Sequence, residues 1–461
     1  MAGIGFTLRH LTEQDNLLGI VQGYVYAAFI TVGPWLFTIL CLATVNALAQ
    51  VFVDMRALSL FRLVVIYNFS FSLVLCGPIT IIVTRYLADR TYDRQPETAP
   101  GALLGGLALI VASQTPLAVL LYGWYADLTL LERVAAIWNY VLVAGIWLVG
   151  VFLTALKDYK AVSLAFAGGM AVAAGAAWLL VQPLGMAGLL LGFDVGLAVI
   201  LFVLVARVFG EYPYPPVRPF AFLPYFRLYP TLAFSGLIGN AALWVDKWVM
   251  WLAPNGVTLA GLRYNPIYDS GMFLAYLTVI PAMALFVLHV ETRFFSAYQA
   301  FFSGIRHHAP YRRIARDHRT MVAEAMVGLR NVAILQGALA AAVVMLAPKI
   351  FDLLGLPYLM IGIFRFGVIA ALLQVLMLFM ATVLTYLDLR RHTLTLHILF
   401  FLLNGVLTWW TMGLGLPYYG LGALIAAAVM LVIAYTVTFG NLIQVPYLVF
   451  IANNPSVRGS P

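Results

Sequence analysis

Continuous apolar stretches of bilayer-crossing length dominate this chain and leave it few folds. A spanning helix needs about 20 apolar residues. Twelve segments meet that length, at residues 20–49, 60–86, 101–124, 134–155, 161–182, 186–209, 228–252, 268–290, 327–347, 361–387, 393–414 and 419–442. The runs are solidly apolar rather than alternating, which excludes a transmembrane barrel. The longest of them tilt or extend past the hydrocarbon. Charge content agrees: 10% of residues are charged and 63% are hydrophobic, against about 25% charged in a soluble domain. The expected fold class is therefore an all-α polytopic membrane protein of about 12 transmembrane helices.

An even number of crossings puts both ends on one side, and basic residues decide which. Nineteen of the 26 lysines and arginines fall in the termini and even-numbered loops, six fall on the other side, and Lys247 lies within a segment. Both termini are thus expected in the cytoplasm. The first 17 residues are polar and amphipathic, unlike a cleavable signal. Residues 210–227, GEYPYPPVRPFAFLPYFR, are rich in proline and aromatics and read as a semi-rigid cytoplasmic linker. It divides six segments (1–209) from six (228–461), the layout of a two-lobed transporter. The second lobe carries a long cytoplasmic loop, 291–326.

Several chemistries are excluded by what is missing. Glu13 and Asp15 are the only carboxylates at Asp-x-Asp spacing, and they precede the first segment. No lysine follows a glycine, so there is no Gly-Lys-Ser/Thr phosphate loop. No Gly-x-Ser-x-Gly or His-Glu-x-x-His motif occurs. Cys41 and Cys76 lie in apolar segments and form no metal-ligand cluster. The reading is a non-enzyme with no cofactor and no metal. Net charge is +8, but it is spread through loops, a membrane-topology pattern rather than a nucleic-acid one.

The sharpest local feature is NAALWVDKWVMW, Asn240 to Trp251. Projected at 100° per residue, Asn240, Trp244, Lys247 and Trp251 share one stripe. Ser235, Gly239, Ala242 and Asp246 share another, small enough for close helix approach. Lys247 is therefore expected to face a water-filled cavity, and Asp246 a cation on a neighbouring helix. The bland alternative is a structural pair, or snorkelling at the outer interface, since Asp246 lies roughly 27 Å along its segment at about 1.5 Å per residue. A second lane, Tyr24, Thr31, Trp35 and Thr38, runs along the first segment; aromatic rings and hydroxyls there suit a carbohydrate and equally suit helix packing. Gly33-Pro34 and Gly77-Pro78 are candidate kinks. Asp194, Asp269, Arg62 and Arg365 complete an intramembrane charge network, with the two arginines as candidate partners for Asp246 or Asp194. In loop 291–326, Phe294, Phe295, Tyr298, Phe301 and Phe302 recur at helical spacing beside Arg306, Arg312, Arg313, Arg316 and Arg319. That pattern reads as an interfacial helix on anionic lipids or as a partner dock. His307 and His308 read as surface residues.

The opening MAGIGFTLRHLTEQDNLLGIVQGYVYAAFITVGPW, together with GNAALWVDKWVMW and YDSGMFLAYLTVIPAMALFVLHVETRFFSAYQAFF, resembles the PelG family over nearly the whole chain. That family is the inner-membrane transport component for the Pel exopolysaccharide of bacterial biofilms. It is similar to the multidrug/oligosaccharidyl-lipid/polysaccharide (MOP) transporters. The resemblance implies two six-helix lobes around a central cavity lined by the first and seventh helices. The implied substrate is an N-acetylgalactosamine/galactosamine-rich polymer. The implied partners are a cytosolic Pel glycosyltransferase using UDP-N-acetylgalactosamine, a membrane cyclic di-GMP receptor and a tetratricopeptide membrane protein. The alternatives are a lipid-linked oligosaccharide flippase, an ion-coupled drug exporter, or a scaffold of a polysaccharide synthase.

Overall fold

The computed structural model describes residues 17–156 and 159–452, with side chains described from Gly33 onward apart from 154–159 and 452. The end segments 1–16 and 453–461, Lys157, and the side chains of Tyr24 and Thr31 lie outside that description. The fold is all-α with two compact units, Phe29–Pro266, and Ile267 onward together with residues 17–28. The seventh apolar segment packs on the second and clusters with the first unit.

In the first unit, which takes α1 (Leu17–Ala49) from Phe29 on, α1 and α2 (Met55–Tyr92) each contain a proline yet run unbroken through it. The Gly-Pro steps are therefore not helix ends. Asp54 caps α2, its carboxylate accepting from the Ala57 amide at 2.9 Å. Then come α3 (Ala99–Val119), closed by a π-turn at Leu120–Tyr125, and α4 (Leu130–Leu156). Next, α5 (Tyr159–Glu211) is one element in name only. Pro183 removes a backbone donor, and Gly185 takes φ 56° and ψ −130°, a turn that a Cβ would strain. Beyond it the chain folds back on itself. Gly188, Gly192 and Gly196 lie against Leu180, Ala177 and Ala173 so closely that a Cβ would overlap the opposing leg. Thus α5 is a helical hairpin, matching the two segments expected at 161–182 and 186–209. Its inner face joins α2 and α4 in the core, where Phe61 meets Phe193 edge-on at 6.1 Å.

The linker is docked, not free. Gly101 and Gly105 of α3 leave no room for a Cβ against the carbonyls of Val217 and Pro219. The expected result of Gly105→Val is a displaced linker: trypsin should cut at the exposed Arg227 at least about tenfold faster, and thermal stability should fall. Unchanged cleavage and melting would show that the linker does not rest on that face.

The seventh segment is two helices, α6 (Pro230–Ala242) and α7 (Val245–Met250). A β-hairpin follows, β1 (Val257–Leu259) with β2 (Leu262–Tyr264), turning on Ala260 and Gly261 at positive φ. In the second unit, α8 (Pro266–Leu277) and α9 (Ile280–His289) are separated at Thr278–Val279, where Pro281 cannot donate to the preceding turn. The free Thr278 carbonyl accepts from Gln336 at 3.0 Å. A π-turn (Val290–Phe294) leads into α10 (Phe295–Arg306), α11 (Tyr311–Leu354), α12 (Ile361–Tyr386), α13 (Arg390–Met412) and α14 (Leu421–Ile443). The expected loop 291–326 is therefore helical almost throughout.

Nine helices among the described residues are long and apolar enough to cross a membrane, against the twelve segments expected. They differ where α1 is only partly described, where the α5 hairpin is one continuous element, and where α6 and α7 are each too short.

Candidate functional site

The break between α6 and α7 places the Asp246–Lys247 pair. α6 lies tightly on α2: Gly77 and Gly236 approach until a Cβ on either would meet the other's backbone. Beside them the Asn240 amide donates to the Leu73 carbonyl at 2.9 Å. The helix stops at Ala242 and restarts at Val245, which frees carbonyls at the first helix end. Lys247 Nζ takes one of them, Leu243 O, at 3.0 Å. The same ammonium lies 3.1 Å from both oxygens of Asp246, whose side chain is 2% exposed. Trp244 lends its ring face at 5.9 Å. The two charges touch each other beside the break, the arrangement of the structural alternative.

α7 is then zipped onto α2 by aromatic rings. Trp251 stacks on Tyr67 at 4.6 Å and Trp248 on Phe71 at 5.4 Å. The Trp248 indole donates to Ser70 at 3.1 Å. Trp251 is buried in a packing position. Tyr67 also ties down the β-hairpin, donating to the Arg263 carbonyl at 2.6 Å.

A second polar feature crosses the core of the first unit. Tyr122 donates to Asn68 Oδ1 at 2.6 Å, Asn68 Nδ2 to Asn139 Oδ1 at 2.8 Å, and Asn139 Nδ2 to Asp194 Oδ1 at 2.7 Å. All four residues are buried. Every donor points toward Asp194, which ends the chain. Its second oxygen, Oδ2, has no hydrogen-bond partner among the described residues, a costly arrangement for a buried carboxylate. Sequence reasoning found Asp194 but missed Tyr122, Asn68 and Asn139. An asparagine inside an apolar segment was the available signal.

These observations describe a helical membrane protein with buried polar groups, and sequence comparison supplies the family. The chain matches the PelG family over residues 1–450. It belongs to that family. PelG is described as "Putative exopolysaccharide Exporter (EPS-E)". No protein of curated function matches the chain. Solved structures share the fold. One is an outward-facing multidrug-resistance MATE transporter of the MOP superfamily, at 14% identity and TM-score 0.65, covering 96% of this chain and 98% of that one. Another is a MOP transporter from Pyrococcus furiosus, with a binding pocket of reversed polarity, at 13% identity and TM-score 0.66, covering 92% and 96%. An inward-facing MATE transporter matches at 13% identity and TM-score 0.59, covering 95% and 98%. The PelG chain thus has a MATE-like fold, and family and fold together support a transporter role in a multi-pass membrane protein.

The remaining candidate residues of this PelG member scatter. Trp35 of α1 is exposed, while Thr38 is buried and its hydroxyl donates to the Pro34 carbonyl at 2.8 Å. Arg62 turns to its own helix, at 3.4 Å from the Leu58 carbonyl and 3.3 Å from Ser59. Arg365 donates to the Val344 carbonyl at 3.2 Å. Among the described residues, each arginine bonds to acceptors close by in its own unit. Asp269 is half-buried at the start of α8. Arg306, Arg312, Arg313, Arg316 and Arg319 are all exposed around α10 and the start of α11.

Proposed function

We propose that this protein moves the Pel exopolysaccharide, an N-acetylgalactosamine/galactosamine-rich polymer, from cytoplasm to periplasm across the bacterial inner membrane during biofilm matrix synthesis. The observation carrying this reading is the family match over residues 1–450, with a transporter fold beneath it. The protein acts without catalysing a reaction. It receives polymer from a cytosolic glycosyltransferase and works with a membrane cyclic di-GMP receptor and a tetratricopeptide membrane protein. Both termini face the cytoplasm. Trp35 and the half-exposed Trp244 are the rings offered to sugar faces.

The test is reconstitution of the full chain in vesicles with the transferase outside and UDP-N-acetylgalactosamine supplied there. Polymer should accumulate in the lumen, protected from added glycosidase. Polymer made but left wholly outside defeats the proposal. A requirement for an undecaprenyl-linked substrate would favour the flippase reading.

A second reading, ion-coupled transport on the same fold, is favoured by one observation: the buried Asp194 carboxyl, accepting one hydrogen bond and keeping one oxygen unpartnered among the described residues. Under it, an imposed proton gradient changes the lumenal rate, and Asp194→Asn removes that response. A rate indifferent to the gradient in both proteins rejects it.

A further inference from the structure

The α10–α11 hairpin separates two surfaces that sequence alone left merged. α11 has 44 residues. Its charge-free part lies between Arg330 and Lys349, about 27 Å of helix at about 1.5 Å per residue, which fills a hydrocarbon core of about 30 Å. The preceding part, from Tyr311 to Arg330, has no apolar slab to occupy and stands outside it. Arg319 then sits roughly 16 Å beyond Arg330 along the axis, and Arg312 roughly 27 Å. The headgroup layer is only about 5–8 Å deep on each side, and charges are screened over about 8 Å at physiological salt. A helix tilt of up to about 40° keeps three-quarters of that height. The arginines at the tip are thus out of reach of lipid phosphates. Arg293 and Arg330, both exposed, stand at the foot of the hairpin where headgroups lie.

The aromatic face that suggested a lipid-lying helix is already occupied. Phe301 is fully buried and meets His318 of α11 at 5.6 Å. Phe294, Phe295 and Tyr298 pack around Tyr386 at 5.6, 6.1 and 5.5 Å. Ile314, Met321 and Ala325 form the α11 side of the seam. What the tip shows to solvent is Arg306, Arg312, Arg313, Arg316 and Arg319, with Tyr311 81% exposed among them. The one carboxylate within 306–319 is Asp317, which touches Arg313 at 3.8 Å and Arg316 at 3.4 Å while both arginines stay well exposed. Arginine and tyrosine are the residue types enriched at protein interfaces.

We infer that the tip of the α10–α11 hairpin is a docking surface for an acidic face of a cytoplasmic protein. The cytoplasmic side rests on the orientation in the proposed function; the surface itself rests on geometry and charge. Its occupant is a protein carboxylate cluster, not a bilayer.

The test uses the full chain in phosphatidylcholine nanodiscs and a fluorescent 16-residue peptide carrying eight glutamates. A variant reversing the tip (Arg312→Glu, Arg313→Glu, Arg316→Glu) is compared with one reversing three arginines elsewhere (Arg293→Glu, Arg330→Glu, Arg391→Glu), so net charge is matched. The tip variant should bind at least tenfold more weakly, and the matched variant within twofold of the parent. Equal loss in both, unchanged binding by the tip variant, or no binding by the parent overturns the proposal. So does displacement of the peptide when phosphatidylglycerol replaces half the lipid, which would make headgroups the occupant. Orientation is read separately: Tyr311→Cys should react with an impermeant maleimide in inside-out vesicles and not in intact cells. The reverse labelling rejects the orientation and leaves the binding result standing.

Discussion

Lys247→Met should destabilise the first unit by about 3–5 kcal/mol, because it takes the ammonium away from a buried carboxylate. Asp246 is almost wholly enclosed, and the ammonium touches both of its oxygens. The measurement is the thermal midpoint of the detergent-solubilised full chain. The informative comparison is the double variant Asp246→Asn/Lys247→Met. A buried ion pair replaced on both sides is often close to neutral, so the double should recover at least half of the loss. Recovery stays incomplete because the Leu243 carbonyl also loses its ammonium. A single variant as stable as the parent would show that the pair does not support the break. An export defect in Lys247→Met is then read first as a folding defect, and only a variant with normal melting speaks to transport.

The second large effect lies in the buried chain from Tyr122 to Asp194. Asn139→Leu should destabilise by about 2–3 kcal/mol, the usual cost of orphaning a buried polar group. Asn139 is the donor to Asp194 and the acceptor for Asn68. Asn68 keeps the Ala136 carbonyl at 3.0 Å as a fallback, whereas Asp194 keeps nothing among the described residues. Most of the loss should therefore vanish when Asp194→Leu is combined with Asn139→Leu. If the double falls further than the single, the chain is not what couples these positions.

Much of the fold was legible because bilayer length is written directly in apolar runs. The α5 hairpin was readable as two segments, since Pro183 and Gly185 interrupt a charge-free run at its middle. The break at Leu243–Trp244 was not. No proline or glycine marks it, and it is held by contacts distant in sequence: Gly77 on Gly236, Tyr67 on Trp251, Phe71 on Trp248. A periodic projection carries phase straight through such a break. Asp246 and Lys247 were found as unusual residues, while their mutual contact needed coordinates. The aromatic spacing at 294–302 correctly announced a helix, but could not say whether lipid or α11 covers it.

The turn at Gly185 also decides sidedness. The end of α2 and the linker meet: Arg90 reaches the Tyr225 hydroxyl at 3.4 Å, and Arg85 stands over the Tyr229 ring at 5.1 Å. Between those loops lie α3, α4 and α5. Were α5 a single crossing, the count would be odd, and the two loops would stand on opposite faces of the membrane. Folded at Gly185 it crosses twice, the parity becomes even, and arginine meets tyrosine on the same face. One left-handed backbone angle thus sets the address of the chain that follows it.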